Sequence, residues 1–195
     1  MKKNGFTLIE LIAAVGIMLM LSTIVIPIVV RKINETKEKS YNVLINSIEL
    51  AAHDYVLNNA DNITSFKTND WTYVTIETLI ENKYFNESLI DARTKEAIPI
   101  TNEVYVTRLH NGNINAHYDD NQSEKAKILL NGSYNIYLKK GDTYTELGVT
   151  ATDTTGTDVT SSVVKTGNLI TTITGVYIFT YTYQDSSITR NIVVK

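Results

Sequence analysis

The chain begins with a short polar stretch and passes at Phe6 into an apolar run carrying a single acid, Glu10. From Leu11 to Val30 there is no charge, and the only polar side chains are Ser22 and Thr23. As a helix this run reaches ~30 Å, the hydrocarbon thickness of a bilayer. Pro27 lies near its outer end, where a kink is expected. Beyond Arg31 the pattern turns amphipathic. Tyr41, Leu44, Ile45, Ile48, Ala51, Ala52, Tyr55 and Val56 recur at three- and four-residue spacing. The helix therefore runs on to a polar stop at Asn58–Asp61. Trp71–Val74 reads as the lead-in to a short helix, with Ile76, Leu79, Ile80 and Tyr84 on one face.

Alternation then replaces helical spacing. Val104–Leu109 and Ile114–Tyr118 flank Asn111-Gly112, the turn pair of a hairpin in which both turn positions need positive φ. A polar, charged stretch, 121–127, reads as a linker. From Ile128 onward Thr, Val, Ile and Tyr dominate. Strands are expected at Ile128–Leu130, Tyr134–Leu138, Val149–Thr152, Ser162–Lys165, Val176–Tyr183 and Thr189–Val194. Glycines mark the turns, and the spacing is that of a small β-sandwich. In the fifth strand Tyr177, Phe179, Tyr181 and Tyr183 alternate with Val176, Ile178, Thr180 and Thr182, and the aromatic side should face the core. The fold class is α+β: a long helix packed on a small antiparallel sheet, followed by an all-β sandwich.

The start of the chain carries the clearest message. In an ordinary export signal the cleavage site follows the apolar stretch, which is then discarded. Here the one obvious processing point, Gly5-Phe6, precedes it, so the apolar helix stays in the mature protein. Gly5-Phe6-Thr7-Leu8-Ile9-Glu10 behind Lys2 and Lys3 resembles the leader of type IV prepilins and type II secretion pseudopilins. The resemblance implies cleavage after Gly5 by a prepilin peptidase, N-methylation of Phe6 and assembly into a thin helical filament. It gives Glu10 the task of pairing with the Phe6 amine of a neighbouring subunit, and it makes Phe6, Glu10 and Pro27 assembly residues. Partners follow: other pilin subunits, the peptidase and methyltransferase, an assembly platform, and the membrane before assembly. The N-terminus is then cytoplasmic, as Lys2 and Lys3 also favour, and the assembled protein is an extracellular filament.

The likeness fades along the chain. Leu79–Phe85 looks like a segment of Gram-positive pilins, with Lys83 where they carry glycine, and Asp91–Thr94 is similar to an aspartate-proline turn without the proline. Leu138–Tyr144, Leu147–Asp153, Gly175–Tyr181 and Arg190–Val194 resemble bacterial Ig-like modules of surface proteins, which implies a spacer or binding role. The divisions are 1–5 leader, 6–30 membrane and filament-core helix, 31–120 pilin-like head, 121–127 linker and 128–195 Ig-like sandwich.

Charge and chemistry narrow this further. The net charge is −3, and losing Lys2 and Lys3 with the leader makes it −5. Outside the leader there is no long basic run, so direct nucleic-acid binding is not indicated. Without cysteine there is no disulfide framework and no thiolate metal site. His53, His110 and His117 show no metal-ligand spacing, and no nucleophile elbow, phosphate loop or cofactor fingerprint is present. Asp153, Asp158 and Asp185 read as turn acids, with calcium binding the rarer alternative. The expectation is a non-enzymatic structural subunit, a minor pilin displaying its Ig-like module for adhesion. A pseudopilin of a secretion or DNA-uptake machine, or an anchored binding module that never polymerises, are the rival readings.

Overall fold

A computed structural model describes residues 7–120 and 122–195. Helix α1 (Leu8–Asn59) ends where the polar stop was expected and continues through Pro27. Two units are distinguished, one of Met1–Leu44 with Ile90–Glu96, the other of Ile45–Leu89 with Ala97–Lys195.

In the first unit the apolar side chains of α1 stand exposed, from Leu8 through Met18, Leu19 and Met20 to Ile33. The helix is long and apolar enough to cross a membrane. The two hydroxyls of its uncharged stretch serve themselves: Ser22 Oγ donates to Met18 O and Thr23 Oγ1 to Met20 O, each at 2.7 Å. Neither needs water, which suits an apolar solvent. The 90–96 loop folds around Asp91. Its carboxylate accepts from the Arg93 backbone at 2.7 Å and from the guanidinium at 2.8 Å. That guanidinium lies 3.3 Å over the Tyr41 ring, a cation–π contact.

The second unit holds a three-stranded antiparallel sheet, β1 (Trp71–Thr75), β2 (Glu103–Arg108) and β3 (Ile114–Tyr118), in that order. Trp71–Thr75 is thus a strand in its own right; its Thr-Tyr-Val-Thr composition suits a pleated surface better than a helix entry. Two six-residue helices flank it, α2 (Thr64–Asn69) and α3 (Ile76–Glu81). Thr75 caps α3, its Oγ1 accepting from Thr78 N–H at 3.1 Å. One face of the sheet buries Val74, Val104 and Val106; Ile48, Ala52 and Val56 of α1 are buried too. Glu49 of α1 accepts from the Tyr118 backbone at 3.0 Å, anchoring helix to sheet.

The hairpin joining β2 and β3 forms at Asn111-Gly112 but with different geometry from that expected. Only Gly112 has positive φ, +88°. Leu109 N–H donates to Asn113 O, and Asn111 Oδ1 accepts from Asn113 N–H at 3.0 Å. The side chain of Asn111 does locally what a second left-handed residue would otherwise do.

The sandwich pairs β4 (Lys127–Leu130) with β6 (Val149–Thr152), and orders β5 (Asn135–Leu138), β9 (Ser186–Val194), β8 (Gly175–Tyr183) and β7 (Val164–Thr166) in a second sheet. β5 and β9 run parallel, the other pairs antiparallel. Phe179 and Tyr181 point inward with Ile128, Leu130, Val149, Ile188 and Ile192, while Val176 and Ile178 are exposed. The aromatic side of the fifth expected strand does face the core.

Candidate functional site

Gly5 and Phe6 lie outside the described residues, so the structure begins with their neighbour. Thr7 and Glu10 form a capping box at the entry of α1. Glu10 Oε2 accepts from the Thr7 backbone N–H and from its hydroxyl, both at 2.8 Å. Glu10 N–H reaches back to Thr7 Oγ1 at 3.4 Å. A threonine followed three residues later by glutamate satisfies otherwise orphaned helix-start donors in this way. The pattern was visible in the sequence as Thr-Leu-Ile-Glu, yet the reading of Glu10 as an assembly residue did not use it. Glu10 is thus already occupied within its own chain, by a weak and exposed partner. Pro27 sits mid-helix. Lacking an N–H, it cannot bond the carbonyl of Thr23 one turn before.

The histidines scatter. His53 Nδ1 lies 2.9 Å from Asp54 and His117 Nδ1 3.4 Å from Glu49, while His110 sits in the hairpin turn. His117 faces Tyr105 across the sheet, so the strand register does not bring it to His110. No group of three His, Cys, Asp or Glu suited to a metal occurs among the described residues. Asp153 Oδ1 is spent on the Thr155 and Thr157 amides and the Thr155 hydroxyl, all within 2.9 Å. That Thr155 hydroxyl, with those amides, holds the Asp153 carboxyl below its ordinary pKa. Asp158 accepts from Thr160 N–H at 2.8 Å. Both acids close turns.

The sandwich contributes the feature that the sequence reading missed. It is seated on the sheet face that carries Trp71 and Tyr105, opposite to the face of Val74, Val104 and Val106. Trp71, Tyr105 and Leu109 pack against the sandwich core, and Trp71 Nε1 donates to Gly132 O at 3.0 Å. Trp71, Tyr73 and Tyr105 form a ring ladder with centroids 5.1 to 6.1 Å apart. Backbone bonds join in: Tyr134 N–H donates to Asn69 O at 2.6 Å. Asn135 Nδ2 reaches the Arg108 carbonyl and, at 3.4 Å, Asp70. The expected linker carries a 3-10 turn, Gln122–Glu124, and the Gln122 side-chain amide pairs with the backbone of Glu103. A clue lay in the sequence: β1 and β2 are apolar or aromatic on both faces, as in a sheet covered on both sides.

Inside the sandwich Arg190 is fully buried. It donates to the carbonyls of Ser133 (3.1 Å), Asn131 (2.7 Å) and Gly148 (3.3 Å) and pairs with Glu146. One guanidinium thus gathers three loop carbonyls and a carboxylate, as its five donors allow.

Comparison with known families places both ends of the chain. The prokaryotic N-terminal methylation motif matches residues 1–26, and the Ig-like domain of bacterial surface proteins matches residues 128–194. The chain thus carries a pilin-type methylation motif at its start and a bacterial surface Ig-like domain at its end. Neither family is enzymatic. The methylation motif implies processing by a prepilin peptidase and assembly with other pilins, and the apolar helix that follows suits a membrane anchor before assembly. Among solved structures, the lipoprotein BT2262 from Bacteroides thetaiotaomicron is similar at 28% identity, over 35% of this chain and 37% of that one, with a TM-score of 0.33. No curated protein matches this pilin-like chain.

Proposed function

We propose that the protein is a minor subunit of a type IV pilus-like filament. Cleavage after Gly5 and methylation of Phe6 release residues 6–30 as a retained membrane helix with the N-terminus cytoplasmic. The head, 31–120, and the sandwich, 128–195, joined through 121–127, then face outward. The observation carrying this reading is an exposed, uncharged helix surface from Leu11 to Val30 with one acid, Glu10, at its start. Such a surface needs lipid or neighbouring helices around it. Polymerisation supplies the helices. The Phe6 amine of a neighbour exchanges for Thr7 as the partner of Glu10, replacing a neutral contact with a charged one and fixing the axial register. Pro27 lets the helix adjust at its outer end. A sandwich on every subunit would crowd a shaft, which favours a minor, decorating role. The module meets surfaces or cells.

The test is Glu10→Ala in the producing cell. Membrane levels of the protein should stay near wild type while its recovery in sheared filaments falls at least tenfold. Incorporation at the wild-type level would refute the polymerisation mechanism and leave an anchored binding module.

A further inference from the structure

Where the sandwich meets the sheet, a cleft of about 490 Å³ opens between them. That volume lies within the range of small-molecule sites. It belongs to neither part alone. Tyr73 and Tyr105 come from the sheet, Lys125 and Lys127 from the connecting segment, and Asp185 and Ser187 from the turn into β9 and its first residues. Two ion pairs stand in its wall, Lys127 with Glu103 at 2.6 Å and Lys125 with Asp119 at 2.8 Å.

We propose that this cleft binds a small neutral saccharide. Each ammonium in the wall already has its carboxylate, so an anionic ligand would have to break a pair to be recognised. A carboxylate and an ammonium held side by side present an acceptor and a donor a short distance apart. That is the complement of two adjacent hydroxyls, each of which both donates and accepts. Ser187 and Asp185 add a further hydroxyl and carboxylate to the lining. Tyr73 and Tyr105, their rings 5.1 Å apart and tilted by 41° with Lys127 Nζ 4.6 Å over the Tyr73 ring, supply the apolar part of the lining against a sugar's C–H groups. Recognition by several hydrogen bonds discriminates strongly against analogues lacking a hydroxyl. The site needs no polymerisation, so it stands or falls separately from the filament reading.

Trp71, the chain's one tryptophan, lies 5.9 Å from Tyr73 and 6.1 Å from Tyr105 and reports on the cleft. The full chain in a zwitterionic, sugar-free detergent is titrated with glucose, galactose, N-acetylglucosamine and lactose, and with glucuronic acid and glucosamine. Trp71 emission and saturation transfer to the sugar protons are both read. At least one neutral sugar should give a saturable response, weakened tenfold or more by Lys125→Met and by Ser187→Ala, and unchanged by Lys165→Met on the far edge strand. No saturable response in either readout up to tens of millimolar overturns the proposal. So does preference for a charged sugar, or binding that ignores both cleft variants.

Discussion

Arg190 shows how much one side chain settles. Its fully buried guanidinium satisfies the carbonyls of Asn131, Ser133 and Gly148. Arg190→Met would strand those acceptors and the Glu146 carboxylate, and breaking a buried pair costs about 3–5 kcal/mol. Denaturant unfolding of the detergent-solubilised chain, followed by Trp71 emission, should show a loss of that size. Asp91 makes a second, pH-dependent case. The Arg93 guanidinium is the largest influence; burial opposes it, and the Arg93 and Thr94 amides help to hold the carboxyl below its ordinary pKa. A carboxyl depressed on folding stabilises above its unfolded pKa, about 4. That stabilisation fades as pH falls through the folded value. Asp91→Asn should therefore lower stability at pH 7 and flatten the acid limb of a pH–stability curve, with the two proteins converging at the most acidic end.

At the scale of elements, the end of α3 carries a local strain. Lys83 N–H donates to Ile80 O and Tyr84 N–H to Leu79 O, the paired bonds of a Schellman closure. The residue at its left-handed position is Lys83, with φ +63°. Glycine adopts that conformation at no steric cost, and lysine does not. Lys83→Gly should stabilise by about 1 kcal/mol, seen as a rise in melting temperature. Elements of this kind were legible in the sequence unequally. Helix α1 and the sandwich strands announced themselves by period, because each presents many apolar positions to one side. Helix α2 did not, since Phe66 is its only large apolar residue. The Asn-Gly hairpin was found, yet its turn type depended on a side-chain bond of Asn111 that spacing does not encode. Of the proposed assembly residues, Glu10 was legible from its isolation in an apolar run. Its bond to Thr7 followed from a different rule, one about helix starts.

At the scale of the molecule, the seating of the sandwich matters most, and it was the least legible feature. Periodicity reports that a face is covered and stays silent on what covers it. Trp71 bridges the two parts through its ring contacts and its bond to Gly132. Sheet and sandwich should therefore unfold in one transition, and Trp71→Ala should split it into two, resolved by calorimetry and by hydrogen exchange in β8 and β9. Retention of a single transition at lower temperature would place the coupling in the backbone bonds instead.

The same seating bears on how such a gene is built. An Ig-like unit appended to a polar, solvated sheet would hang loose. Here Trp71, Tyr105 and Leu109 form a ready-made dock for the sandwich. A frameshift near codon 127 would not yield a shorter working pilin. It would bare an aromatic face that invites clumping at the membrane.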